Sequence, residues 1–95
     1  MFDYASQKPL HKYTAQFGSF RGAIEVFKEG VVLHNGARNI AMRSNYVQSV
    51  IQKSSEPFSK VGVELSYYDV FGNLEKVAFQ IRETDFKALR QDLGK

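Results

Sequence analysis

Only two histidines, His11 and His34, are available for acid–base work. A general base needs an orienting partner and a nucleophile within hydrogen-bond reach, and neither histidine sits in a motif that supplies them. There is no Gly-x-Ser-x-Gly elbow. Gly18-Ser19-Phe20-Arg21-Gly22 has two glycines but lacks the helix that a phosphate loop feeds. The chain has no cysteine, which removes thiolate nucleophiles, thiolate metal sites and disulfide frameworks. Two distant histidines with scattered aspartates match no zinc spacing. The Asp69–Asn73 stretch has one carboxylate and one amide, short of a calcium loop and better read as a turn held by its own side chains. These residues imply no enzyme, no metal and no cofactor.

The residues better suited to chemistry are those that bind. Thirteen Lys and Arg against ten Asp and Glu give a net charge of +3, a mild excess. Arg38, Arg43, Lys53 and Lys60 fall at strand ends or in loops. Brought together, they would hold phosphates through charge-assisted bonds; dispersed, they are solvated charges that blunt edge strands. Tyr68, Val70 and Phe71 form the second candidate set. Val70-Phe71 stands at an expected loop tip, where an apolar pair lowers solubility unless something covers it. Tyr67, Tyr68 and Tyr46 are a weak match to a base-stacking platform, because Tyr68 shares its face with Glu64 and Ser66. Nucleic acid is therefore disfavoured.

These groups must be positioned by strands. Residues 1–12 contain Pro9 and no sustained period, and read as a flexible arm, with Phe2 and Tyr4 apolar enough to dock. From Tyr13 the chain alternates. The spacing predicts strands over Tyr13 to Phe20, with Tyr13, Ala15 and Phe17 on one face, and over Gly22 to Phe27. Glu29-Gly30 turns the chain into Val31 to Leu33, and Asn35-Gly36 is the strongest hairpin signal. Asn39 to Arg43 is a short strand. Tyr46 to Gln52 fits neither period and reads as a strand with a bulge. Ser54 to Lys60 reads as a loop with Phe58 tucked against the core. Val61 to Asp69 and Leu74 to Arg82 make a hairpin. The period then changes: Thr84 suits an N-cap, Phe86, Leu89 and Leu93 form one stripe, and Gly94 stops the helix.

The expected fold class is thus mainly β, with six to seven antiparallel strands in a partly open barrel or sandwich. One C-terminal amphipathic helix caps it, and residues 13–95 form a single domain. This order of elements resembles the pleckstrin-homology-like superfold, including its GRAM-type branch. The resemblance is carried by Gly22 to Leu33, Asn39 to Val50 and the final hairpin and helix from Val61 to Leu93. In place of the tryptophan usual in that helix, the resemblance implies that Phe86 or Leu89 fills the packing position. It also implies a non-catalytic module that binds another protein or a copy of itself, with an anionic phospholipid or membrane surface as the alternative. The absence of cysteine, of an apolar run near the ~20 residues that span a bilayer, and of an apolar signal segment implies a cytoplasmic setting.

Overall fold

The structure, a computed structural model, describes residues 3–95. Alternation of apolar and polar side chains produces seven strands: β1 (His11–Phe17), β2 (Phe20–Val26), β3 (Gly30–His34), β4 (Asn39–Arg43), β5 (Val47–Glu56), β6 (Lys60–Tyr68) and β7 (Leu74–Arg82). A single 3-10 turn, Ser44–Tyr46, joins β4 to β5, and helix α1 (Glu83–Leu93) follows β7. All pairings are antiparallel, in one open sheet of order β4-β3-β2-β1-β7-β6-β5. Every neighbouring pair is a hairpin except one, where the first strand meets the last at Gln16 and Gln80.

The inner face of this sheet encloses one core. Tyr13 and Ala15 of β1, Ile24 and Val26 of β2, Val31 and Leu33 of β3, and Val63 and Leu65 of β6 all enter it. The helix adds Phe86, Leu89 and Leu93, and Leu89 is completely buried. Burial of this stripe is why an 11-residue helix too short to persist alone is held here. Gly94 takes the left-handed conformation (φ 70°) that ends α1, and its N–H donates to the carbonyls of Arg90 and Gln91. Gly22 serves a different need. A Cβ there would collide with the backbone carbonyl of His34, so only glycine lets β2 and β3 approach at that point.

Several boundaries differ from the sequence expectation. The first strand begins at His11 and ends at Phe17; Gly18 and Ser19 turn the chain, so Phe20 opens β2 instead of closing β1. His11 and Lys12 therefore belong to the sheet. Within the expected arm, Tyr4 packs on Phe27 with ring centroids 6.2 Å apart, and the Leu10 N–H donates to the Val26 carbonyl at 2.7 Å. Tyr4, Phe27, Val32 and Ala41 make a small second cluster on the outer face of the sheet. Phe2 lies outside the described residues.

The expected Ser54–Lys60 loop is mostly strand, because β5 runs on to Glu56 and only Pro57, Phe58 and Ser59 turn. Phe58 is not tucked in. It is 93% exposed, with φ 62°, and the adjacent Ser59 has φ 60°. Two successive left-handed residues form the tight reversal and throw the ring outward. The helix also starts two residues early, at Glu83 with Arg82 in the N-cap position, and no side chain caps it. Thr84 is already inside the first turn; the Glu83 N–H instead donates to the Ser59 carbonyl at 2.9 Å, so the β5–β6 tip satisfies the helix start. The predicted bulge in β5 is present as register shifts between Val47 and Ser49 and between Gln52 and Ser54.

Candidate functional site

β4 pairs only with β3, and β5 only with β6, so these are the two edges of the sheet. Between the β4 edge and the β6–β7 hairpin lies a groove of about 310 Å³. Six consecutive residues, Arg38 to Arg43, line it together with Tyr46 of the 3-10 turn and, from the β6–β7 hairpin, Tyr68, Asp69, Val70 and Glu75. Consecutive lining residues mean that the strand's backbone, not one of its faces, borders the groove.

The ladder fixes which backbone groups are free. The Ser44 N–H donates to the Glu29 carbonyl at 3.0 Å, and the Asn35 N–H to the Arg38 carbonyl at 3.4 Å. In an antiparallel pair, hydrogen-bonded residues alternate. Ile40 and Met42 therefore direct their N–H and C=O groups to β3, and Asn39, Ala41 and Arg43 direct theirs away from it, along the open edge.

The side chains around this edge are held locally. Arg43 donates from Nη1 to Glu29 Oε2 at 3.2 Å. Arg38 has no ion-pair partner among the described residues. Tyr67 is buried, and that burial, followed by the charge of Glu75, pushes its hydroxyl pKa up, partly offset by the positive charge of Arg38. Tyr68 alternates with it and is 40% exposed. At the hairpin tip the Asp69 carboxylate accepts from the N–H groups of Phe71 and Asn73, both at 2.9 Å. That bonding makes the loop rigid and leaves Val70 and Phe71 projecting, Phe71 at 85% exposure. An apolar pair on a braced tip beside an open strand edge is a surface suited to contact.

The structure brings together four of the seven residues singled out from sequence. Arg38, Arg43, Tyr68 and Val70 line the groove, and Phe71 stands next to Val70. Lys53 and Lys60 lie elsewhere: Lys53 borders a shallow depression with Ser54 and Gly62, and Lys60 lines a cleft with Arg82. The four basic candidates are thus shared among three places. His34 donates from Nε2 to Glu25 Oε1 at 2.5 Å, with Nδ1 2.7 Å from the Asn39 amide. It is committed to bracing β2, β3 and β4, with no nucleophile beside it. Among the described residues no group of three His, Asp or Glu could hold a metal ion.

No protein-family model matches the chain, and no curated protein matches it. Among solved structures, the chain is similar to the C-terminal domain of an unknown protein from Leishmania infantum. The identity is 15%, the TM-score 0.64, and the likeness covers 98% of this chain and 90% of that one. At that identity the likeness concerns the fold alone. No helix among the described residues is long and apolar enough to cross a membrane.

Sequence reasoning did not single out the backbone edge of β4 or the cations Lys12 and Arg82. A signal existed for both cations, since each alternates with a buried neighbour, Tyr13 and Ile81. What local pattern did not reveal was that β1 and β7 are partners.

Proposed function

We propose that the chain is a non-catalytic protein-interaction module that receives an extended segment of a partner polypeptide as an added strand on β4. The observation that carries this reading is the row of outward N–H and C=O groups at Asn39, Ala41 and Arg43, bordering a groove with aromatic side chains. Strand addition takes its affinity from such main-chain bonds and its selectivity from pockets for alternate side chains. Tyr46, Tyr68 and Val70 provide apolar contact, and the ion-pair-free Arg38 complements an acidic side chain on the partner. The strand order, with the first strand joined to the last and a helix following, supports a pleckstrin-homology-like fold. Proteins built on such scaffolds perform many unrelated tasks, so the assignment rests on the groove. A cytoplasmic setting is part of the same proposal, in keeping with the absence of cysteine.

The test selects extended peptides from a displayed random library against the full chain and maps their binding by amide hydrogen exchange. Added protection at Asn39, Ala41 and Arg43 is expected. Ala41→Pro removes an outward donor without touching the β3 ladder, so it should abolish binding while the fold persists. Protection confined to another surface, or binding that survives Ala41→Pro, would refute the groove. Sedimentation of the chain alone addresses a second copy as the occupant. A dimer dispersed by Phe71→Ser would show that the tip serves self-association and overturn the reading of a foreign partner.

A further inference from the structure

A second cleft opens where β1 meets β7. The two strands are bridged only at Gln16 and Gln80, and the chain leaves β7 for α1 at Glu83. They diverge toward the start of β1 and leave a cleft of about 410 Å³. Alternation decides what lines it. Lys12 alternates with buried Tyr13, Arg82 with buried Ile81 and Lys60 with buried Val61, so all three belong to the outer face. Arg21 pairs with Gln16 across the β1–β2 hairpin, and Lys60 with Arg82 across the β6–β7 hairpin. Four cations from four strands thus converge on one cleft, with Asp85 the single carboxylate among its lining residues. None of the four has an ion-pair partner among the described residues.

We infer that this cleft is a binding site for a phosphate-bearing anion. Like charges brought together repel, and the carboxylates that neighbour this cluster, Asp85 in the lining and Glu25 opposite Lys12 in the β1–β2 ladder, make no ion pair with the four cations, so the cleft keeps a positive excess. A carboxylate ligand would neutralise one charge. A phosphomonoester carries roughly −1.5 to −2 near neutral pH and offers three acceptor oxygens. Two guanidinium groups, Arg21 and Arg82, can each meet it with a fork of parallel donors, and Lys12 and Lys60 supply point charges. The Gln80 side chain adds a neutral polar group. Asp85, the one carboxylate in the lining, repels any bound anion and so weakens the site. The site lies on the outer face, apart from the β4 groove, and shares no lining residue with it.

The same phosphate chemistry occurs on a soluble metabolite or a lipid headgroup, and two arms separate them. The first titrates the full chain with sodium pyrophosphate by calorimetry at low ionic strength. The second sediments it with vesicles of equimolar phosphatidylcholine and phosphatidic acid, against phosphatidylcholine alone. Saturable pyrophosphate binding is expected, weakened roughly tenfold by Arg21→Gln or Lys60→Gln, as the loss of one charge-assisted bond requires. Asp85→Asn should tighten it. Lys76→Gln, which removes an equal charge from the Glu64 pair on β7, should leave it unchanged. Co-sedimentation that pyrophosphate reverses would identify the headgroup as the source; pyrophosphate binding without sedimentation would identify a soluble ligand. The inference fails if neither probe binds, if Lys76→Gln weakens binding as much as Arg21→Gln, or if only a single-stranded oligonucleotide binds. It also fails if Asp85→Asn, folded by circular dichroism, weakens binding.

Discussion

The contact between α1 and β1 gives the sharpest test of how this fold is held. Tyr13 donates its hydroxyl to Asp92 Oδ2 at 2.7 Å, and His11 Nδ1 lies 3.0 Å from the same oxygen. Burial of the Tyr13 ring, the bond to Asp92, and the negative charges of Asp92 and Asp85 all raise the hydroxyl pKa above its ordinary value of 10.0. Tyr13→Phe removes the bond but keeps the ring. A bond to a charged group contributes about 1.5–3 kcal/mol. Asp92 remains partly open to water and keeps His11, so the loss at neutral pH should be nearer ~1 kcal/mol.

The pH dependence carries the sign. The folded hydroxyl holds its proton more tightly than the unfolded one, so this stabilisation is complete below pH 10 and is lost as pH rises beyond it. Between pH 8 and pH 11 the unfolded Tyr13 ionises while the folded one does not, which costs about 1.4 kcal/mol. Tyr67, also raised by its burial, acts in the same direction in both proteins and so drops out of the comparison. Urea unfolding of wild type and Tyr13→Phe at the two pH values should therefore show wild type ahead at pH 8. The gap should close or reverse at pH 11. A gap that does not change with pH would mean that Tyr13 titrates normally when folded, and the tether between β1 and α1 would not exist.

Three further substitutions probe the frame. Leu89→Ala, at a completely buried helix position, should lower unfolding free energy by about 2–5 kcal/mol in urea titration. Gly22→Ala should cost at least ~1–3 kcal/mol, because the new methyl meets the His34 backbone carbonyl and not a side chain that can swing away; an unchanged midpoint would refute the close β2–β3 approach. Phe58→Gly should leave stability unchanged or raise it by up to ~1 kcal/mol in thermal melts, since it relieves a left-handed residue and exposes nothing new. A large loss there would place the ring in the core after all.

Most of the strand pattern was legible because it is local. Val61 to Tyr68 alternates without interruption, and Asn39 to Arg43 is bounded by turn residues on both sides, so period alone found them. The Asp69 turn was legible for the same reason, since its carboxylate bonds only to backbone within four residues. Phe58 was misplaced because hydrophobicity was taken to imply burial, whereas two left-handed residues point it outward. The missing N-cap at Thr84 has a tertiary cause: the Ser59 carbonyl, 24 positions earlier, accepts the Glu83 N–H.

Charge grouping was not legible for a deeper reason, and it bears on how such small β modules acquire sites. Arg38, Arg43, Lys53 and Lys60 are near one another in sequence, which left open whether they form one patch. A meander separates what sequence puts together, since β4 and β5 lie at opposite edges of the sheet although only three residues join them. It also unites what sequence keeps apart, since the β1–β7 bridge brings Lys12 and Arg21 to Lys60 and Arg82. That joint is the one pairing no hairpin turn announces. Its closure entropy rises only slowly with the intervening length, and the shared core repays it. The residues that flank it are therefore free to vary without changing a turn or a register. A cleft at such a joint can take on new charge while the hairpins that hold the fold stay as they are, and the β4 edge, on the far side of three hairpins, is left to evolve a contact surface of its own.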